Sequence, residues 1–209
     1  MRVLVAGAHG KVGEHVTALL NESEHEVRAM VRKEAYVTEL EPFSTKVVVA
    51  DLTQEVSHAV EGCDAIIFAA GSSGNDVEGV DRDGAIKLMK VAESQGVKRF
   101  VMLSSMGAGD PERGPEALRP YLKAKKEVDE RLQRSDLDYT IIRPGQLTDD
   151  AATGKIKAAE HFDEWGQVTR EDVAKTLVTV LGQPSTVGQT FEILEGDTPI
   201  EEVLKVSSG

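Results

Sequence analysis

The chain has one cysteine, Cys63, among 209 residues. A single thiol excludes an intramolecular disulfide framework and a cysteine-rich zinc site. Basic residues are also scarce: 24 Lys and Arg stand against 36 Asp and Glu, a formal net charge of -12. That balance denies the chain the broad basic face of a general nucleic-acid binder. No apolar run approaches the roughly 18 residues of a membrane span. His25, His58 and His161 lack metal-ligand spacing, so no metal site is expected. A strand-like run opens the chain and leaves no room for a signal peptide. These absences predict a cytoplasmic, soluble protein, monomer or homodimer, with neither nucleic acid nor membrane as partner.

What is present is an alternation. Val/Ile-rich runs at Arg2–Ala6, Glu26–Val31, Lys46–Val49, Ala65–Ala69, Phe100–Leu103 and Tyr139–Ile142 read as strands. Several lack polar alternation, as in parallel strands covered on both faces. Helical patterns lie between them, at Lys11–Asn21, Gln54–Val60, Val80–Ser94 and Pro120–Arg134. In the first, Val12, Val16, Leu19 and Leu20 share a face. Strand–helix alternation with right-handed crossovers predicts an α/β chain with a Rossmann-type, doubly wound parallel sheet. Beyond Gly145 the rhythm loosens. A helix over Arg170–Leu181, a strand over Thr190–Leu194 and a last helix from Pro199 are expected to form a small C-terminal lobe. Residues 1–209 are read as one domain, with 146–209 supplying that lobe on the substrate side. The Gly- and Pro-rich stretch Gly107–Pro120 is the candidate mobile loop.

The segment GAHGKVG spans Gly7–Gly13, at the junction of the first strand and the first helix. Gly7 permits a tight turn, Gly10 lets backbone approach a ligand, and Gly13 lets helix pack on strand. The helix start, with Lys11 and Val12, offers free N–H groups and a partial positive charge to a pyrophosphate. His9, inside the loop, is a further phosphate contact or simply a loop residue. Three glycines can also serve a strand–helix turn alone; their placement after a first strand favours a cofactor. About 20 residues on, an NAD-binding sheet offers an acid to the ribose 2′-hydroxyl. Here Arg32 and Lys33 stand in that place, followed by Glu34. A guanidinium grips a 2′-phosphate bidentately, so NADP(H) is expected over NAD(H).

With these motifs the chain resembles the short-chain dehydrogenase/reductase superfamily, in its atypical, NmrA-like and epimerase–dehydratase branch. GAHGKVG is similar to that branch's glycine loop. ADLT (Ala50–Thr53) resembles the segment that flanks the adenine, which implies contacts from Asp51 and Leu52. FAAG (Phe68–Gly71) resembles the fourth-strand motif, which implies Ala69, Ala70 and Gly71 on the adenine-ribose side. GVKRFVMLSS (Gly96–Ser105) and DYTIIRPG (Asp138–Gly145) resemble the fifth and sixth strands, and VTREDVA (Val168–Ala174) a segment common in the branch. The resemblance places the nicotinamide and its phosphate near Pro144, Gly145, Gln146 and Leu147.

Tyr121 and Lys125 are four apart, so a helix puts both on one face. A neighbouring ammonium favours a phenolate, which makes such a pair a usable acid/base. By resemblance these are the family's Tyr and Lys, with Lys125 also on the nicotinamide ribose. Ser105 is the expected substrate-binding serine and Ser104 its rival. Asp81 stands where the family has Asn, a departure that bears on the proton relay. Trp165 and Phe162 either line a substrate pocket or belong to the lobe's core. Thr169 and Asp172 read as a helix cap, and Arg170 is a candidate to reach the cofactor side. The resemblance implies redox chemistry on a small carbonyl or hydroxyl compound, with sugar epimerase or dehydratase chemistry inside that class. The reading from another class is a regulator that binds NADP(H) without turnover and reports its occupancy.

Overall fold

The structure is a computed structural model and describes residues 1–43, 46–72 and 74–206. The chain lays down β1 (Arg2–Ala6), α1 (Lys11–Asn21), β2 (Glu26–Val31), α2 (Val37–Leu40) and β3 (Lys46–Val49). Next come α3 (Ser57–Val60), β4 (Ala65–Phe68), α4 (Ala85–Gln95), β5 (Arg99–Leu103), α5 (Arg119–Gln133) and β6 (Asp138–Pro144). The last part holds β7 (Gln146–Thr148), β8 (Lys155–Ala159), β9 (Gln167–Thr169), α6 (Arg170–Leu181), β10 (Gln189–Glu195), β11 (Thr198–Pro199) and α7 (Ile200–Val206).

The main sheet runs β3-β2-β1-β4-β5-β6-β10-β8-β11, and its first seven strands in that order are parallel. The reversal between β1 and β4 is the switch point of a doubly wound sheet, where ligands gather at the strands' carboxyl ends. Side chains alternate between two cores. Val3 and Val5 face the layer of α1 and α6, whereas Leu4 and Ala6 face the layer of α3, α4 and α5. In α1, Val12, Val16 and Leu20 are buried against Val173, Leu177 and Val180 of α6. Each such burial is worth about 1.5–3 kcal/mol relative to exposure.

Three expectations are refined. The helix expected from Gln54 forms only over Ser57–Val60, because the Glu55 carboxylate takes the Ser57 N–H at 2.6 Å and turns the chain there. The helix expected from Val80 is π-helical over Val77–Gly84 and becomes α-helical at Ala85. A Cβ on Gly84 would lie 2.7 Å from Leu52 Cβ, so glycine lets this widened segment press onto the turn that follows β3. The C-terminal elements, expected as a lobe, build much of themselves into the sheet. β10 extends it beside β6, β8 runs antiparallel to β10, and only β7 and β9 pair apart as a two-stranded ribbon. The Gly107–Pro120 stretch carries two 3-10 turns, Pro111–Arg113 and Glu116–Leu118. No helix among the described residues is long and apolar enough to cross a membrane.

Candidate active site

The glycine loop passes over the end of β4 at close range. Gly7 has φ +86°, and a Cβ there would lie 2.5 Å from Ala70 Cα. A Cβ on Gly13 would lie 2.1 Å from the Gly7 oxygen, so Gly13 sits beneath the loop and outside the cleft wall. Gly10 differs: its nearest obstacle is the Gly7 oxygen at 3.2 Å, and it opens onto the cleft. It is the N-cap of α1 and brings no side chain to the first-turn N–H groups. The loop and α1 therefore form the cradle a pyrophosphate needs.

The cleft measures about 1120 Å³, above the roughly 300–1,000 Å³ of ordinary small-molecule pockets. Its loop wall is Gly7, His9, Gly10, Lys11 and Val12, and its far wall is Asp81, Ser104, Tyr121, Lys125 and Leu147. Arg32, Asp51, Leu52, Ala69, Ala70 and Gly71 line the stretch between.

Just past β2, Arg32 faces the cleft and makes no ion pair or hydrogen bond with any described residue. Lys33 does not line it, because its carbonyl takes the Tyr36 N–H at 3.1 Å and the chain turns away there. His9 lines the cleft with its ring held from the side. Its ring stacks on Tyr36, centroids 3.7 Å apart and 12° from parallel, and its Nε2 meets Glu39 at 3.1 Å. Asp51 Oδ1 accepts from both the backbone N and the Oγ1 of Thr53 at 2.8 Å. The Thr53 N–H bond, helped by the Arg32 and Lys87 charges, holds its carboxyl below the usual carboxylate range.

On the far wall, α5 presents Tyr121, Lys125 and Asp129 on successive turns. Lys125 is buried, with Nζ 5.6 Å from the Tyr121 ring centroid. The ammonium donates to the Leu103 carbonyl at 3.3 Å and lies 3.8 Å from Asp81 Oδ1. Asp81 is equally buried, and its Oδ2 accepts from the Ser72 N at 3.0 Å and Oγ at 2.6 Å. A buried carboxylate thus stands beside the buried lysine.

The two serines face opposite ways. Ladder bonds continue past β5, with Ser104 N–H to the Ile142 carbonyl and Met106 N–H to that of Pro144. Ser104 keeps the face of Phe100 and Met102, toward α5, and lines the cleft; Ser105 turns to the opposite face and does not. Ser105 Oγ donates to the Met106 carbonyl at 3.2 Å. Ser104 Oγ donates to Asp129 Oδ2 at 2.9 Å. Pro144, Gly145 and Gln146 also stay out of the cleft wall. The Pro144 carbonyl takes the Met106 N–H, Gly145 N–H donates to Ile193, and Gln146 N–H to Gly166.

Three contributors had little signal in the sequence. Tyr36 lines the cleft behind His9. Asp149 binds Lys11 Nζ at 2.8 Å and Arg170 Nη1 at 2.6 Å, joining the glycine loop to the start of α6. The Lys11 bond, with the Arg170 charge, holds its carboxyl low. Asp129 is fully buried between Ser104 and Arg143, whose Nε lies 2.8 Å away. Burial pushes its carboxyl up, against the pull of Arg143. Its spacing of four from Lys125 was the one readable sign. Thr169 caps α6 as expected, accepting the Asp172 N–H at 3.0 Å, and Arg170 does line the cleft.

Residues 7–184 match the family model described as NAD(P)H-binding. The chain belongs to this family. Its fold is of the Rossmann type, a doubly wound parallel sheet. It is 42% identical to the uncharacterized sugar epimerase YhfK of Bacillus subtilis, across 98% of this chain and 99% of that one. A solved structure named for an NAD-dependent epimerase/dehydratase of Bacillus halodurans is 45% identical, with a TM-score of 0.96 over 98% of this chain and 99% of the other. The oxidoreductase ylbE of Lactococcus lactis is 34% identical, with a TM-score of 0.90 over 98% and 95%.

Proposed function

We propose that this family member is an NADP(H)-dependent oxidoreductase acting on a small carbonyl or hydroxyl compound. One observation carries the reading: Lys125 is buried in the cleft wall beside Tyr121, facing the glycine cradle. Arg32, without a described partner and at the edge where a NAD enzyme offers an acid, supports the 2′-phosphate preference. When bound, the nicotinamide supplies or takes up the hydride. Tyr121 gives a proton to the substrate oxygen in reduction and takes one in oxidation. Lys125 stabilises the charge left on the phenol, and Asp81 with the Leu103 carbonyl keeps the ammonium in place.

The test is a screen of aldehydes, quinones and nucleotide sugars with NADPH. For an active compound, Tyr121→Phe should lower turnover by about 10²–10⁴ while NADPH affinity stays within about twofold. Near-full turnover in Tyr121→Phe would remove the tyrosine from the chemistry. The names of the relatives also suggest an epimerase, which keeps its cofactor between turnovers. Reduced-nicotinamide absorbance in the protein as purified would favour that variant of the reading. A second reading, an NADP(H)-sensing protein, is favoured by the serines: Ser104 is engaged by Asp129, and Ser105 lies outside the cleft. NADPH binding with no turnover of any screened compound is its expected result.

A further inference from the structure

A second cavity of about 300 Å³ lies beyond the end of β5 and shares no lining residue with the cofactor cleft. Arg143 and Glu192 line it, cross-strand partners on β6 and β10. Arg143 is 12% exposed and uses only its Nε, on Asp129; its Nη atoms meet no acceptor among the described residues. Glu192 is 1% exposed. Its Oε2 accepts the Phe162 N–H at 2.7 Å and faces His161 Nδ1 at 3.3 Å, while its Oε1 has no partner among the described residues. The two groups form no ion pair with each other. A rigid donor edge and a rigid acceptor thus stand side by side and uncommitted, open to the cavity.

The walls are built around them. A Cβ on Gly109 would lie 2.8 Å from Arg143 Nη1, and one on Gly107 would lie 2.7 Å from the Trp165 ring. Glycine at both positions leaves room for the guanidinium and the indole. Trp165 and Phe162 supply aromatic surface to the cavity. The charges on the two floor groups argue against a plain carboxylate, which Glu192 would repel, and against a plain ammonium, which Arg143 would repel. They suit a neutral group that offers an acceptor beside a donor.

We propose that this cavity recognises a planar cyclic amide or imide, its carbonyl on Arg143, its N–H on Glu192 and its ring beside Trp165. The proposal rests on the oxidoreductase reading only in naming that ring as part of the substrate. Ser104, in the cofactor cleft, and Arg143, in this cavity, share Asp129 Oδ2, so a single buried carboxylate joins the two sites.

Trp165 is the chain's one tryptophan, so its fluorescence reads this cavity directly. Lumiflavin, which carries an imide edge, is the probe, and its N3-methyl derivative has a methyl group in place of the donor. Lumiflavin should quench Trp165 saturably and bind at least about tenfold tighter than the methylated form, the scale of one hydrogen bond to a charged group. In Glu192→Gln the amide oxygen keeps the Phe162 N–H and turns its NH₂ toward the ligand, so this discrimination should vanish. Gly109→Ala, which crowds only the end of Arg143, should weaken lumiflavin at least about tenfold with the fold intact. Absence of saturable quenching, equal binding of the two probes to the unaltered protein, or unchanged affinity in both variants would overturn the proposal. Calorimetry with NADPH alone separates the two readings. Failure of NADPH to bind defeats the oxidoreductase reading and leaves the cavity's specificity standing.

Discussion

Arg32 and Lys33 are adjacent in sequence, yet only the first reaches the cleft. The proposed NADP(H) preference therefore rests on one side chain. Arg32→Ala should cost about 1.5–3 kcal/mol of NADPH affinity, roughly 10- to 100-fold, and leave NADH nearly unchanged; paired titrations of both cofactors check this. Cys63 shows the opposite situation, a group made inert by its surroundings. It is 7% exposed, and burial pushes its thiol up. The thiolate is the reactive form, so a raised thiol is less reactive at any given pH, and its rate climbs at higher pH than that of a free thiol. Labelling by a disulfide reagent at pH 8 should be at least about tenfold slower in the native protein than in urea. Equal rates would show that the site opens readily.

Elements explain why three glycines with the same spacing do different work. Gly13 abuts backbone that cannot retreat, whereas Gly10 abuts open cleft. Gly13→Ala should cost about 1–3 kcal/mol by overpacking, seen as a lower denaturant midpoint. Gly10→Val, at φ -80° and ψ 154°, suits a branched residue. It should keep the midpoint and abolish NADPH binding in calorimetry. If the two variants behaved alike, the cradle would be misassigned. The strand–helix pattern was legible as far as β6 because each element carries its own periodicity. The π-helical entry to α4 was not legible, because the close packing of Gly84 on Leu52 joins parts of the chain that no local period relates.

At the scale of the molecule, α6 covers α1, and β10 extends the sheet beside β6. The C-terminal third is therefore part of the core that holds the cofactor loop. A chain ending at Gly145 would leave Val12, Val16 and Leu20 without Val173, Leu177 and Val180. It should show no cooperative melt by circular dichroism, whereas the full chain should unfold in one transition. Two separate transitions in the full chain would mean that residues 146–209 form an independent unit.

Local spacing was enough to read the doubly wound sheet, the glycine loop at its first strand–helix junction, and Tyr121 with Lys125 on one helix face. Facing directions and contacts between distant parts of the chain came only with the fold. Ser104 and Ser105 are neighbours, and only strand pairing with β6 sets which one faces α5. Asp149 gains its role by meeting Lys11, 138 positions away, and His9 meets Tyr36 and Glu39 across a loop that the sequence does not tie to it. The Arg143–Glu192 floor exists because β10 joins the sheet in one register. A charged residue's chemistry depends on which partners surround it, and those partners come from parts of the chain that only the fold brings together.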